Sequence, residues 1–206
     1  ETEAVTEMQA NEQSLGEGLV ISDCCSGKGM GSVILSLMYP AAEIVMLDND
    51  VKMKLPHLRS EACSNIRFHC CDIHTDEVLS LLNSATCSSR AAVIVGTHLC
   101  GELSLRVIEL FERCLSMSAL ILSPCCQVKR DLLTKRLAKT LKRDTYALWC
   151  LHLLTSLRIR PHSSGDEEST GPGIFMRTEM LQDDNVRSKK NTYILAAKAS
   201  QQVANG

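Results

Sequence analysis

The sequence predicts an α/β fold: one mostly parallel sheet with helices on both faces and an antiparallel pair at its end. Short apolar runs recur at residues 18–22, 43–47, 66–70, 91–97 and 118–123. The most apolar, Ala92-Val93-Ile94-Val95 and Ala119-Leu120-Ile121-Leu122, lack polar alternation and read as strands buried on both faces. Stretches of helical period lie between the runs, and strand alternating with helix builds a parallel sheet. The rhythm then breaks, because runs 174–181 and 192–198 are joined by a charged turn and read as a hairpin.

Taken in order, residues 1–17 are polar and acidic, punctuated by Gly16, and read as a lead-in segment, helical or frayed. The domain is expected over 18–200, with 201–206 a tail. Val33, Ile34, Leu37 and Met38 make a first helical stripe. Leu103, Val107, Leu110, Phe111 and Cys114 make a second, and Leu133, Leu137 and Leu141 a third. Each stripe is expected to face the sheet. The Ser/Gly/Glu-rich stretch 163–173 reads as a loop, and no internal repeat is visible.

Composition narrows the function classes. With 206 residues, 45% apolar and 22% charged, the chain suits one medium soluble domain and is neither disordered nor coiled coil. Opening on Glu1 rather than Met, it is expected to be part of something longer. No apolar run reaches the ~18 residues of a membrane span, and no signal-peptide pattern opens the chain, so no membrane partner is expected. Net charge is −2, so a nucleic-acid contact needs a local basic face. The eleven cysteines are odd in number and include the adjacent pairs Cys70-Cys71 and Cys125-Cys126. They read as reduced thiols of a cytoplasmic or nuclear protein. No CxxC spacing occurs, which argues against zinc-finger and thioredoxin readings.

The first strand runs into Asp23-Cys24-Cys25-Ser26-Gly27-Lys28-Gly29-Met30-Gly31 and then a helix. Small residues let a ligand approach the backbone, and a helix start offers free N–H groups. A dinucleotide fingerprint needs a third glycine where Ser32 stands, and a P-loop needs its first glycine where Ser22 stands. Both fail on spacing. An acid ending strand one followed by x-C-x-G-x-G instead resembles motif I of class I S-adenosyl-L-methionine-dependent methyltransferases, with Cys25 in place of a glycine. Asp48 ends the second strand, where an acid accepts from ribose hydroxyls, and Asp72 follows the third. As plain turn or cap residues these acids would need no ligand.

The resemblance spans about residues 18 to 200. It implies a Rossmann-like seven-stranded sheet in the order 3-2-1-4-5-7-6, and a cofactor held by Asp23, Cys24, Cys25, Gly27, Gly29, Asp48, Asn49, Asp72, Ile73 and Thr97. Asp72 would face the adenine amino group. The methyl group would then point at the ends of strands four and five, Thr97-His98-Leu99-Cys100-Gly101 and Ser123-Pro124-Cys125-Cys126. No [DN]-P-P-[FY] motif is present, so methylation of exocyclic or amide nitrogen is not expected. H-L-C-G, P-C-C and the later Lys190-Asn191-Thr192-Tyr193-Ile194 resemble a eukaryotic group of methyltransferases. It holds the tRNA 2′-O-methyltransferases and the methyltransferase domain of glutathione S-transferase C-terminal domain-containing proteins. The chain lacks the Cys/His zinc modules of the tRNA enzymes.

His98 is a candidate general base for a hydroxyl acceptor, since imidazole titrates near neutral pH, and equally a turn residue that shapes the pocket. Cys100 and Cys125 stand where RNA cytosine-5 methyltransferases carry their two cysteines, although the Pro-Cys order is on the other strand. A thiolate there would add to the pyrimidine ring. His98, Cys100, Cys125 and Cys126 are also potential zinc ligands, but adjacent cysteines make that geometry awkward and no metal is expected. Pro124 and Cys126 are placed on the acceptor side.

The stretch 129–143 carries seven basic residues, among them Lys129, Arg130, Lys135 and Lys139. It reads as a helix whose basic face tracks RNA phosphates, or as a solvated surface. Aromatic residues make up only 3% of the chain, too few for a base-stacking platform. The sequence therefore predicts a methyltransferase with RNA as acceptor through ribose or base. The alternatives are a non-catalytic interaction module of a larger protein and a nicotinamide-binding domain.

Overall fold

The structure is a computed structural model, and it describes residues 14–127, 132–159, 174–185, 188 and 190–200. Lys129, Arg130, most of the lead-in segment, the 163–173 loop and the 201–206 tail lie outside the described residues. The strands are β1 (Leu19–Cys24), β2 (Glu43–Asp48), β3 (Ile66–Cys70), β4 (Ala91–Cys100), β5 (Ala119–Cys126), β6 (Ile174–Gln182) and β7 (Thr192–Ser200). They form one sheet in the order β3-β2-β1-β4-β5-β7-β6. The first five run parallel, while β7 lies antiparallel to both β5 and β6. A two-stranded return can pair antiparallel through a short turn, whereas each parallel step needs a crossover. The predicted sheet is the observed one.

The helices are α1 (Met30–Met38), α2 (Asp76–Thr86), α3 (Glu102–Arg113), α4 (Leu132–Leu141) and α5 (Thr145–Ile159). No helix among the described residues is long and apolar enough to cross a membrane. On one face of the sheet, α3 and α5 press Val107, Leu110, Phe111, Trp149 and Leu153 against Val20, Ile94, Leu120 and Ile194. Each such side chain contributes about 1.5–3 kcal/mol when fully buried. Lys198 of β7 closes the C-terminal end of α3: its ammonium donates to the carbonyls of Phe111 and Cys114 and lies 4.4 Å from the Phe111 ring. Burial lowers the pKa of that ammonium to about 8.

Two of the three expected stripes do not face the sheet. In α1 the buried residues are Ser32 and Ser36; of the predicted stripe, Val33 packs half-buried on the core, while Ile34, Leu37 and Met38 are exposed. The reason is polar: Ser32 Oγ donates to Asp23 Oδ2 at 2.6 Å and Ser36 Oγ to Asn65 Oδ1. A buried carboxylate at the end of β1 needs a donor, so the helix turns its hydroxyls inward. In α4, Leu133, Leu137 and Leu141 are exposed, and Thr134 and Ala138 are the buried positions. This helix packs chiefly on α5, so small residues make its contact. The stripe of α3 faces inward as expected. Ile121 of β5 is 38% exposed, so this strand is not covered on both faces. Helices α2 and α5 add to the three stripes read from the sequence, and Trp149, Leu153 and Leu157 at i, i+4, i+8 are the signal that marks α5.

Candidate active site

The turn from β1 into α1 is built on left-handed backbone at Cys25 (φ 56°), Gly27 (φ 54°) and Gly29 (φ 73°). At Gly29 a Cβ would crowd Met46 Cε and come 3.0 Å from His57 Nε2, so both side chains would have to shift. At Gly27 a Cβ would meet nothing within 4 Å, leaving the backbone open to a ligand. Asp48 ties the turn to β2: its Oδ2 accepts from the Gly27 N–H at 2.9 Å and its Oδ1 from the Asp50 N–H at 3.0 Å. Each oxygen keeps a lone pair for a further donor.

The three acids converge. Asp48, Asp23 and Asp72 all raise the pKa of the Cys25 thiol, and together with burial, the largest cause, they push it up to about 11. Asp23 itself is 2% exposed and held by Ser32, and its carboxyl pKa is raised by burial and by Asp48. It fastens the turn to α1 instead of standing open in the cleft. Asp72 is exposed, and its Oδ1 accepts from the His74 N–H. The loop after it is anchored by the buried Arg106, which donates to the carbonyls of Ile73 and Thr75. Asn49 and Thr97 are exposed at the same end of the sheet, while Cys24 and Ile73 are buried beneath.

Beside Asp48 opens a cavity of about 750 Å³ lined by Gly27, Lys28, Met30, Lys52, Lys54 and His57, among others. Lys28 belongs to the glycine turn read from the sequence, whereas Lys52, Lys54 and His57 follow β2 in a stretch that carries no motif. The His57 Nε2 atom is buried there without a partner. A cradle with an open glycine, a two-oxygen acceptor and an unpartnered ring nitrogen fits the ribose and polar groups of S-adenosylmethionine.

The ends of β4 and β5 carry sulfur. The ladder pairs Thr97 with Ser123, Leu99 with Pro124, and Cys100 with Cys126. Between these pairs β4 holds one extra residue, His98, and β5 then holds one extra residue, Cys125, so two opposed bulges cancel. His98 takes the left-handed conformation (φ 56°), and Gly96 leaves room for Leu99 to fold back, since a Cβ there would lie 2.5 Å from Leu99 Cδ1. The Cys100 and Cys125 sulfurs stand 2.9 Å apart, and the Cys125 thiol donates to the His98 carbonyl at 3.1 Å. Cys126 lies 3.6 Å from Cys125 and receives the Lys190 ammonium at 3.5 Å. Burial and donation to its neighbours push the Cys125 thiol well up, whereas hydrogen bonds from Cys125 and Cys100, with Lys190, lower Cys126. A nucleophilic thiolate at neutral pH is therefore disfavoured at Cys125. Pro124 is buried, its carbonyl accepting from the Tyr146 hydroxyl at 2.8 Å. Lys135 and Lys139 are exposed on α4.

No protein-family model matches the sequence. No curated protein matches it either. Solved structures do. The fibrillarin pre-rRNA processing protein of Methanococcus jannaschii superposes with a TM-score of 0.55 at 9% identity, over 92% of this chain and 70% of that one. The antibiotic-resistance methyltransferase Kmr gives 0.52 at 13% identity, over 94% and 93%. The chain has the Rossmann-like methyltransferase fold. An rRNA methylase from Streptococcus thermophilus adds a TM-score of 0.51 at 11% identity, over 95% and 97% of the two chains. In such open α/β sheets ligands sit beyond the C-terminal strand ends, where the acids and thiols of this chain are found.

Proposed function

We propose that this protein is an S-adenosylmethionine-dependent methyltransferase with RNA as its acceptor. The observation that carries the reading is Asp48, at the end of β2, accepting from the N–H of Gly27, whose Cβ side is open, with Asp23 and Asp72 at the ends of the two flanking strands. Asp48 would accept from the ribose hydroxyls, and Asp72 from the adenine amino group. The glycine turn would let the cofactor lie on the backbone. When bound, the cofactor supplies a methyl group on a sulfonium, an electrophile that needs chiefly in-line placement of its acceptor. His98, exposed at the end of β4, would take the proton of an attacking hydroxyl, with Cys100 and Cys125 beside it. The RNA reading is supported by the names of two structural neighbours and by the exposed Lys135 and Lys139.

Calorimetry with S-adenosylmethionine tests the cofactor site. Micromolar binding is expected, and Asp48→Ala should weaken it at least ~100-fold, since hydrogen bonds to a charged group contribute about 1.5–3 kcal/mol each. A folded chain that binds none overturns the proposal. Methyl transfer to cellular RNA, lost on His98→Ala, then tests the acceptor, and binding without any turnover would point to an interaction module.

A further inference from the structure

We propose that Cys100, Cys125 and Cys126 form a zinc site at the ends of β4 and β5, with three thiolate ligands and a fourth position open to solvent. Among the described residues this is the one set of three or more potential ligands whose donor atoms converge, all within 4.8 Å of one another. Bonds of about 2.3 Å at tetrahedral angles set sulfurs about 3.8 Å apart. The Cys125–Cys126 pair stands at 3.6 Å, and the Cys100–Cys125 pair at 2.9 Å would open by about 0.9 Å on binding.

The objection from sequence is that adjacent residues of a strand point to opposite faces. Here the opposed bulges remove it. Cys125 is the extra residue of β5 and leaves the ladder, so its sulfur comes to the side of Cys126, while the bulge at His98 brings Cys100 level with Cys126. Bulges in parallel pairs are rare, and two that cancel within four residues leave the sheet unchanged and only re-aim these side chains. Charge agrees as well. The three thiols lose their protons to solvent on binding, leaving a site of net charge −1, and the Lys190 ammonium sits 3.5 Å from Cys126. Cys100 is exposed, which provides the entry path and the open fourth position. Soft sulfur donors select zinc over magnesium or calcium.

The site does not depend on methyl transfer, and its test uses no cofactor, so either reading can fail alone. The full chain, kept reduced, is dialysed with zinc sulfate, freed of excess metal and assayed by plasma mass spectrometry. About one zinc per chain is expected, falling to near zero in Cys100→Ser/Cys126→Ser and unchanged in Cys87→Ser, an exposed thiol elsewhere. Cobalt substitution should show a thiolate-to-metal charge-transfer band. Should the double variant fail to fold, the wild type decides alone: zinc must protect Cys100, Cys125 and Cys126 from alkylation and leave Cys87 labelled. No retained zinc, zinc retained by the folded double variant, or a Cys100–Cys125 disulfide formed instead would overturn the site.

Discussion

The two halves of the sheet's C-terminal edge solve different problems. At β1–β3 the ends are oxygen-rich, each carrying or followed by an aspartate, and the strands run regular to their last pair. At β4–β5 the ends are sulfur-rich, and the ladder is broken twice within a few residues. A regular strand end presents one side chain to the edge, which suffices for one acid per strand. Bringing three sulfurs together from two strands requires leaving the ladder. The difference teaches that the acid half is specified by position along the chain, and the thiol half by local distortion.

Breaking the acid half at its turn should have the larger effect. Gly29→Ala is expected to cost about 2–3 kcal/mol, from a left-handed Cβ and from its collision with the buried Met46. Gly27→Ala, left-handed but facing open space, should cost only about 1 kcal/mol. Urea unfolding of both variants separates packing from backbone strain, and equal losses would refute the distinction.

At the thiol half the matching change is Gly96→Ala. It drives a Cβ onto Leu99, which is 1% exposed and holds the turn between the bulges. A loss of about 1–2 kcal/mol is expected. Faster alkylation of Cys125 should accompany it as its contact with the His98 carbonyl loosens. A stable variant with unchanged labelling would show that the bulges do not rest on this packing.

The smallest effect is electrostatic. Burial raises the carboxyl pKa of Asp23 above the unfolded value of 3.8, so the native state holds that proton to higher pH than the unfolded chain. Between the two pKa values the native state binds more protons, and this group's contribution to stability falls as pH rises, reaching its full cost above the native pKa. Asp23→Asn keeps an acceptor for Ser32 and removes the titration. The variant should therefore gain on the wild type in urea midpoints as pH rises above 3.8. A difference that stays constant with pH would show that burial does not raise the Asp23 pKa.

Much of this is legible in the sequence. Alternating apolar runs placed the strands, and the spacing of Asp23, Asp48 and Asp72 placed one acid at each of three strand ends. Periodicity also marked the apolar positions of α1 and α4, but it cannot say what a helix faces. In α1 the deciding fact is a carboxylate in the strand just before it, and in α4 it is the choice of α5 as neighbour.

The sequence by itself determined the order of the strands along the chain, the antiparallel ending and the acid turn, because these follow from the local period of burial and from spacing along the chain. Only the tertiary structure decided that Ser32 serves Asp23, that an unpartnered His57 faces the cleft, and that Cys100, Cys125 and Cys126 meet beside Lys190. Those features depend on which way a helix turns about its axis, on which loops close over the cleft, or on a break in the strand's alternation. All depend on how whole elements pack, which no local pattern records.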